Sequence, residues 1–227
     1  MLFRSDTVRQ RLRAGLVNIM ALGAGDPEVV SALQHATDSF LAGDEAALDA
    51  AFRQTAFTLR TRMGGRVGAE ALLKKAVASS DGAVRPMIVV ALGSSDDPEV
   101  ARSLLPRIGS TGLRVPEEAD LVMTLFRYAK TQEVALDWLQ ANYERISATD
   151  IGLMFQPGMG VRLCSEADAA RFDKVMRAHA IRDGKAGVLD GTVEEIWSCE
   201  KLRAAKESDI TATLLREIGS PKSATFK

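Results

Sequence analysis

The sequence predicts an all-α fold, a right-handed superhelical solenoid of about six antiparallel helix pairs of the HEAT or armadillo kind. Three observations carry that prediction. The phrase Ala21-Leu22-Gly23, followed by Asp26-Pro27-Glu28-Val29, returns about 70 residues later as Ala91-Leu92-Gly93, followed by Asp97-Pro98-Glu99-Val100, close to two units of a two-helix repeat. Between such joints the apolar residues recur at three- and four-residue steps, which places them on one face of a helix. The one β-branched cluster, Ile88-Val89-Val90, lies in a helix-length window between Pro86 and Gly93, so it reads as helix rather than strand.

Each copy of the repeated phrase has the residues of a helix-turn-helix joint. Gly23 and Gly93 suit a left-handed C-terminal cap, and Asp26 and Asp97 suit the N-cap of the next helix. Pro27 and Pro98 then occupy its first position, where a missing N–H costs nothing.

In chain order, helices are predicted over 6 to 22 and 27 to 41, then 44 to 62 and 66 to 79, then 83 to 93 and 97 to 108. Three more pairs follow, at 115 to 129 with 132 to 145, 148 to 162 with 165 to 180, and 190 to 205 with 207 to 218. In the helix from Pro98, residues Val100, Ala101, Leu104, Leu105 and Ile108 share the packed face, with Glu99, Arg102 and Ser103 opposite. After Ser165 the same division recurs, with Ala169, Phe172, Met176 and Ala180 inward and Asp168, Arg171, Lys174 and Arg177 outward. Capping boxes are predicted at Ser147 with Asp150, Ser165 with Asp168 and Thr192 with Glu195. A lone amphipathic pair cannot bury its stripe, so the pairs are expected to stack into one domain over residues 1 to 227 with a concave face.

Composition narrows the function classes. The 227 residues are 46% hydrophobic and 26% charged, as in ordinary globular or solenoid proteins. With 29 Lys and Arg against 30 Asp and Glu there is no global basic excess, so no nucleic-acid partner is expected. The longest apolar run, Met87 to Leu92, falls far short of the ~20 residues that span a bilayer, and the first residues lack a signal peptide's apolar stretch, so no membrane partner is expected either. Cys164 and Cys199 are not arranged as C-x-x-C and are read as reduced packing residues, which fits a cytoplasmic location.

The residues of catalysis are not assembled in any recognisable pattern. His35 and His179 stand alone, with His179 on an apolar face as a hydrogen-bonded core residue and His35 exposed; no H-E-x-x-H occurs. Met63-Gly64-Gly65-Arg66-Val67-Gly68 lacks the Lys-Ser/Thr and the preceding strand of a P-loop and reads as an inter-helix turn. Pro157-Gly158-Met159-Gly160 reads as a helix kink, and Ile108-Gly109-Ser110-Thr111-Gly112 lacks the register of a nucleophile elbow. The basic residues give the one binding signal. Arg60, Arg62 and Arg66 lie across one junction, and Arg171, Lys174 and Arg177 share a helix surface. Together with Arg102 these are the candidate peptide- or partner-binding residues, because arginine forms bidentate bonds with carboxylates. No catalytic or metal-binding residue is assigned.

From about residue 85 the order of phrases resembles the C-terminal helical domain of the zinc aminopeptidase family that includes aminopeptidase N and puromycin-sensitive aminopeptidase. Ala91-Leu92-Gly93 with Asp97-Pro98-Glu99 resembles that domain's A-L-G-x-x-x-D-P-E segment, and Leu113-Arg114-Val115-Pro116-Glu117-Glu118 is similar to its V-R-P-Q-D turn. Ala135-Leu136-Asp137-Trp138-Leu139-Gln140-Ala141-Asn142-Tyr143-Glu144 resembles A-W-D-F-L-x-x-N-W-D, with Leu136, Trp138 and Tyr143 at the family's aromatic positions. Leu163-Cys164-Ser165-Glu166-Ala167-Asp168-Ala169 is similar to F-C-S-E-E-D-A. The resemblance implies a helical bowl that closes a catalytic chamber and positions peptide substrates, with a catalytic domain as partner in cis or in trans. It implies no peptidase activity for this chain alone and zinc only in the parent's catalytic domain, since H-E-x-x-H and G-x-M-E-N do not occur here. A free-standing helical-repeat scaffold for protein binding is the alternative.

Overall fold

The computed structural model describes residues 3–150 and 155–219. The fold is all-α, with no strand among the described residues. The chain forms two compact units, Met1–Gln156 and Pro157–Lys227.

In the first unit, α1 (Phe3–Asn18) runs into a π-helical turn (Ile19–Ala24) and then α2 (Pro27–Leu41). Asp26 caps α2 as its sequence predicts, accepting from the N–H of Glu28 at 3.1 Å and of Val29 at 3.0 Å, with Pro27 in the first turn. The left-handed cap falls on Gly25 (φ 65°) and not on Gly23, because the wider π turn moves the chain reversal two residues on. Leu33, Thr37 and Phe40 form the buried stripe of α2, and the Phe40 ring meets Phe57 of α3 (Arg53–Ala78) with centroids 5.5 Å apart.

The predicted helix from residue 44 begins at Arg53 instead. Asp44 and Asp49 each accept a backbone N–H two residues on, and these local bonds fold residues 45–47 and 50–52 into short 3-10 turns before the helix starts. The predicted break at the double glycine appears as a kink within α3. Gly65 takes φ 51°, ψ −138°, a backbone region open only to glycine, and a Cβ on Gly68 would lie 2.3 Å from the Arg60 carbonyl oxygen.

Helix α4 (Val84–Gly93) contains Ile88-Val89-Val90 as helix, and α5 (Pro98–Leu104) starts at Asp97, whose carboxylate accepts the Glu99 N–H at 2.9 Å. Gly93 is not a left-handed cap. It ends α4 where that helix approaches α6 (Val115–Leu125), and a Cβ there would come within 2.5 Å of the Thr124 Cβ. The glycine serves contact between helices, a demand that a cap motif does not reveal. Helix α7 (Ala129–Ser147) buries Leu136, Trp138, Leu139 and Tyr143. Ser147 is the last residue of α7 and its hydroxyl donates to the Glu144 carbonyl. Residues 151–154 of the predicted 148–162 helix lie outside the described residues, and its end, Pro157–Arg162, is 3-10.

The second unit holds that 3-10 turn, α8 (Glu166–Arg182) and α9 (Ala186–Gly219). Ser165 caps α8 as predicted, accepting the Asp168 N–H at 3.0 Å, but its hydroxyl is also the group that donates to the Asp168 carboxylate, where a full capping box would use the Ser165 backbone N–H. Gly160 lies under the Phe172 ring, where a Cβ would approach to 2.7 Å. The predicted terminal pair is one continuous helix, because Ala204-Ala205-Lys206-Glu207 offers good helix formers and no breaker. Thr192 is therefore interior, and its hydroxyl donates to the Val188 carbonyl rather than capping. Leu189, Val193 and Ile196 bury the first part of α9, whereas residues 201–216 are exposed throughout.

Cys164 and Cys199 form a disulfide with Cα atoms 5.2 Å apart. This corrects the expectation of two reduced residues: α8 and α9 pack side by side, so cysteines 35 positions apart in sequence become neighbours. It also removes the support that reduced cysteines lent to a cytoplasmic location. Among the described residues no single helix is long and apolar enough to cross a membrane, although Val8–Ala24 and Pro27–Leu41 pass that test together across a 108° bend.

Candidate functional site

Helix α4 is apolar except for Arg85, which falls on the same face as Ile88 and Leu92 and is 5% exposed. Its guanidinium donates from Nε to Glu117 Oε1 at 2.8 Å and from Nη2 to Oε2 at 2.6 Å. Nη1 donates to the Ala76 carbonyl at 2.6 Å and the Ser79 carbonyl at 3.2 Å, satisfying the end of α3. Glu117 Oε2 also accepts the Arg114 N–H at 2.8 Å at the start of α6. One ion pair thus joins three helices. The Arg85 hydrogen bond, with the Arg114 N–H and both positive charges in support, holds the Glu117 carboxyl below its ordinary pKa against desolvation; the same bond raises Arg85.

The adjacent Glu118, 3% exposed, turns to the loop before α6. Its carboxylate accepts the Gly109 N–H at 2.9 Å, the Thr111 N–H at 3.2 Å and the Thr111 hydroxyl. Gly109 (φ 92°) and Gly112 (φ 83°) supply the left-handed backbone that aims these donors inward. The loop so fixed walls a cavity of about 550 Å³, lined also by Leu113, Val115, Thr149 and Asp150.

The predicted binding residues divide between the units. In the first, Arg60 pairs with Asp38 at 2.9 Å and Arg102 with Glu99 at 2.5 Å. Arg62 donates to the Ser94 carbonyl at 3.4 Å, with its guanidinium 6.0 Å from the Tyr128 ring centroid. In the second, Arg171 pairs with Asp168 at 3.7 Å, and Arg177 pairs with Asp173 and, at 2.6 Å, with Asp190. The bonds from Asp173 and Asp190 raise the Arg177 pKa. Arg66 and Lys174 are exposed and make no ion pair among the described residues.

Arg177 belongs to a second cleft of about 640 Å³ between α8 and α9, floored by Ala169 and Ala170 and flanked by Glu194, Trp197 and Lys201. Trp197 is 43% exposed. By contrast Trp138 and Tyr143, at the family's aromatic positions, are 8% and 6% exposed and lock α7 into the core. His179 is buried with Nδ1 2.6 Å from Arg182 Nη2, and His35 is exposed, as their sequence contexts predict. Among the described residues no group of three or more His, Cys, Asp and Glu could hold a metal ion.

The glycine-flanked turn before Pro116-Glu117-Glu118 is the sequence trace of the Glu118 loop, and an arginine inside an apolar helical window is the trace of the Arg85 pair. The chain matches no curated protein. It does match the family model of the ERAP1-like C-terminal domain over residues 3–196, which takes in every helix from α1 to α8 and the buried part of α9. The chain belongs to the ERAP1-like C-terminal domain family, the C-terminal domain of aminopeptidases.

Proposed function

We propose that this chain is the substrate-gating, chamber-closing helical domain of a zinc metallo-aminopeptidase, without catalytic activity of its own. The family match over residues 3–196 carries the reading, because it covers a C-terminal domain, while H-E-x-x-H and G-x-M-E-N are absent from the sequence. The domain would contribute shape and charge, excluding water and bulky competitors from a chamber whose metal chemistry is supplied by the catalytic domain.

Two features support a partner in cis or in trans. Helix α1 carries exposed Val8, Leu12 and Leu16 at four-residue steps, continued by Ile19, an apolar stripe of the kind another helix covers. Arg66 and Lys174 remain free of ion pairs among the described residues and would meet a peptide's carboxylates. The alternative, a free-standing scaffold in the cytoplasm, draws on the exposed outer part of α9 with Leu202, Ile210, Leu214 and Leu215.

The test is the reading frame upstream of Met1 together with an assay of the purified chain on a fluorogenic amino-acid amide. An in-frame H-E-x-x-H and G-x-M-E-N, with no hydrolysis by the chain alone, supports the domain reading. An isolated start codon with its own promoter supports the scaffold, and chelator-sensitive hydrolysis by the chain alone overturns both.

A further inference from the structure

We propose that the Cys164–Cys199 bridge is a site of reversible thiol–disulfide exchange, at which a dithiol reductant unclasps α9 from the start of α8. The placement of the two cysteines carries this. Cys164 is half-buried and immediately precedes Ser165, the N-cap of α8. Cys199 is exposed and lies one turn beyond Ile196, the last fully buried residue of α9. The family match ends at that same Ile196, so the bridge secures the helix where it leaves the portion shared with the family. The second link at this point is polar: the Glu200 carboxylate accepts the Glu166 N–H in the first turn of α8.

The exposure fixes the direction of attack. A reductant thiolate reaches Cys199 Sγ, forms a mixed disulfide there and expels Cys164 as thiolate. The leaving thiolate sits beside the N-terminus of a 17-residue helix, whose dipole stabilises negative charge and so favours Cys164 as the leaving group. The second thiol of the reductant attacks the mixed disulfide and releases Cys199. Two electrons pass to the bridge, the two cysteines take up two protons, and the dithiol becomes its own disulfide.

Unclasping leaves the turn after Ile196 held without a covalent link, by the Glu166–Glu200 hydrogen bond and the packing of the half-exposed Trp197. Trp197 lies in this turn and lines both the α8–α9 cleft and a smaller one of about 310 Å³ with Glu166, Glu200 and Lys201. The redox state therefore governs the shape of both clefts. Opening should appear as easier local unfolding at Lys201 and Arg203, with Arg216, farther along the same helix, as an internal reference.

The experiment is limited tryptic digestion of the full chain in air-oxidised buffer and in excess dithiothreitol, with cuts assigned by mass spectrometry and helicity followed by circular dichroism. Cleavage at Lys201 and Arg203 should accelerate about tenfold or more on reduction, while Arg216 and the helical signal hold steady. Cys164→Ser should cleave at the reduced rate in both buffers. Equal rates at Lys201 in the two buffers overturn the proposal. So does a bridge that dithiothreitol opens only after denaturant is added, or acceleration spread over every site in the chain.

Discussion

Replacing Glu117 by alanine strips Arg85 of its carboxylate while the guanidinium stays buried. The variant loses three hydrogen bonds, at 2.8 and 2.6 Å from Arg85 and at 2.8 Å from the Arg114 N–H. Breaking a buried pair from one side costs about 3 to 5 kcal/mol. The lower end applies here, because Nη1 keeps the Ala76 and Ser79 carbonyls, so ~3 kcal/mol is expected. In a unit of this size ~1 kcal/mol moves the melting midpoint by roughly 2 to 4 °C, which gives a fall of roughly 6 to 12 °C.

Glu117→Gln retains an oxygen acceptor but not the charge, and should lose ~2 kcal/mol. Arg85→Met combined with Glu117→Leu removes both charges and should recover most of the loss. Trp138 is in the first unit and Trp197 in the second, so urea unfolding of a Trp197→Phe background, followed by fluorescence, reports the first unit alone. The pH arm has a definite sign. Glu117 is held below its ordinary pKa in the folded chain, so its stabilisation is complete above the carboxylate range and is lost as the pH falls through the lowered value. Glu117→Gln should lack that part of the acid dependence. A loss below ~1 kcal/mol for Glu117→Ala, or a double variant as unstable as the single one, would refute the pair's role as the joint of α3, α4 and α6.

Gly93→Ala should destabilise the chain by ~1 to 2 kcal/mol in the same urea experiment: the new methyl would meet the Thr124 Cβ at 2.5 Å, a strain larger than the gain in helix propensity. A stabilised variant would show that the α4–α6 contact yields freely. Trp138→Ala should cost ~3 kcal/mol, the low end for a buried aromatic, because its indole N–H has no hydrogen-bond partner to lose. A near-neutral urea midpoint, read here by circular dichroism, would contradict its place in the α7 core.

What the sequence made legible were the features decided locally. Asp26, Asp97 and Ser165 cap because a short side chain meets a backbone N–H two or three residues on, and the three- to four-residue apolar steps marked the buried faces of α5 and α8. Long-range geometry was not legible. Gly93 looked like a cap but answers to Thr124, and Cys164 and Cys199 looked independent until two helices brought them together. Residues 186–219 were divided in two because a repeat pattern was extended past the point where the sequence supplies a break. Among the basic candidates, charge alone could not tell Arg66 and Lys174 from Arg60, Arg102, Arg171 and Arg177, whose carboxylate partners depend on which side chains the fold brings within reach.

The central claim, that this chain gates a peptidase rather than being one, is tested most directly by peptide-length selectivity. The measurement is kcat/KM of the zinc aminopeptidase catalytic domain, with and without this chain joined or added, on an amino-acid amide and on peptides of increasing length. The account predicts that the chain reshapes the length profile, restricting long or bulky substrates while hydrolysis of the small amide changes little. An unaltered profile with the chain stably bound would contradict it.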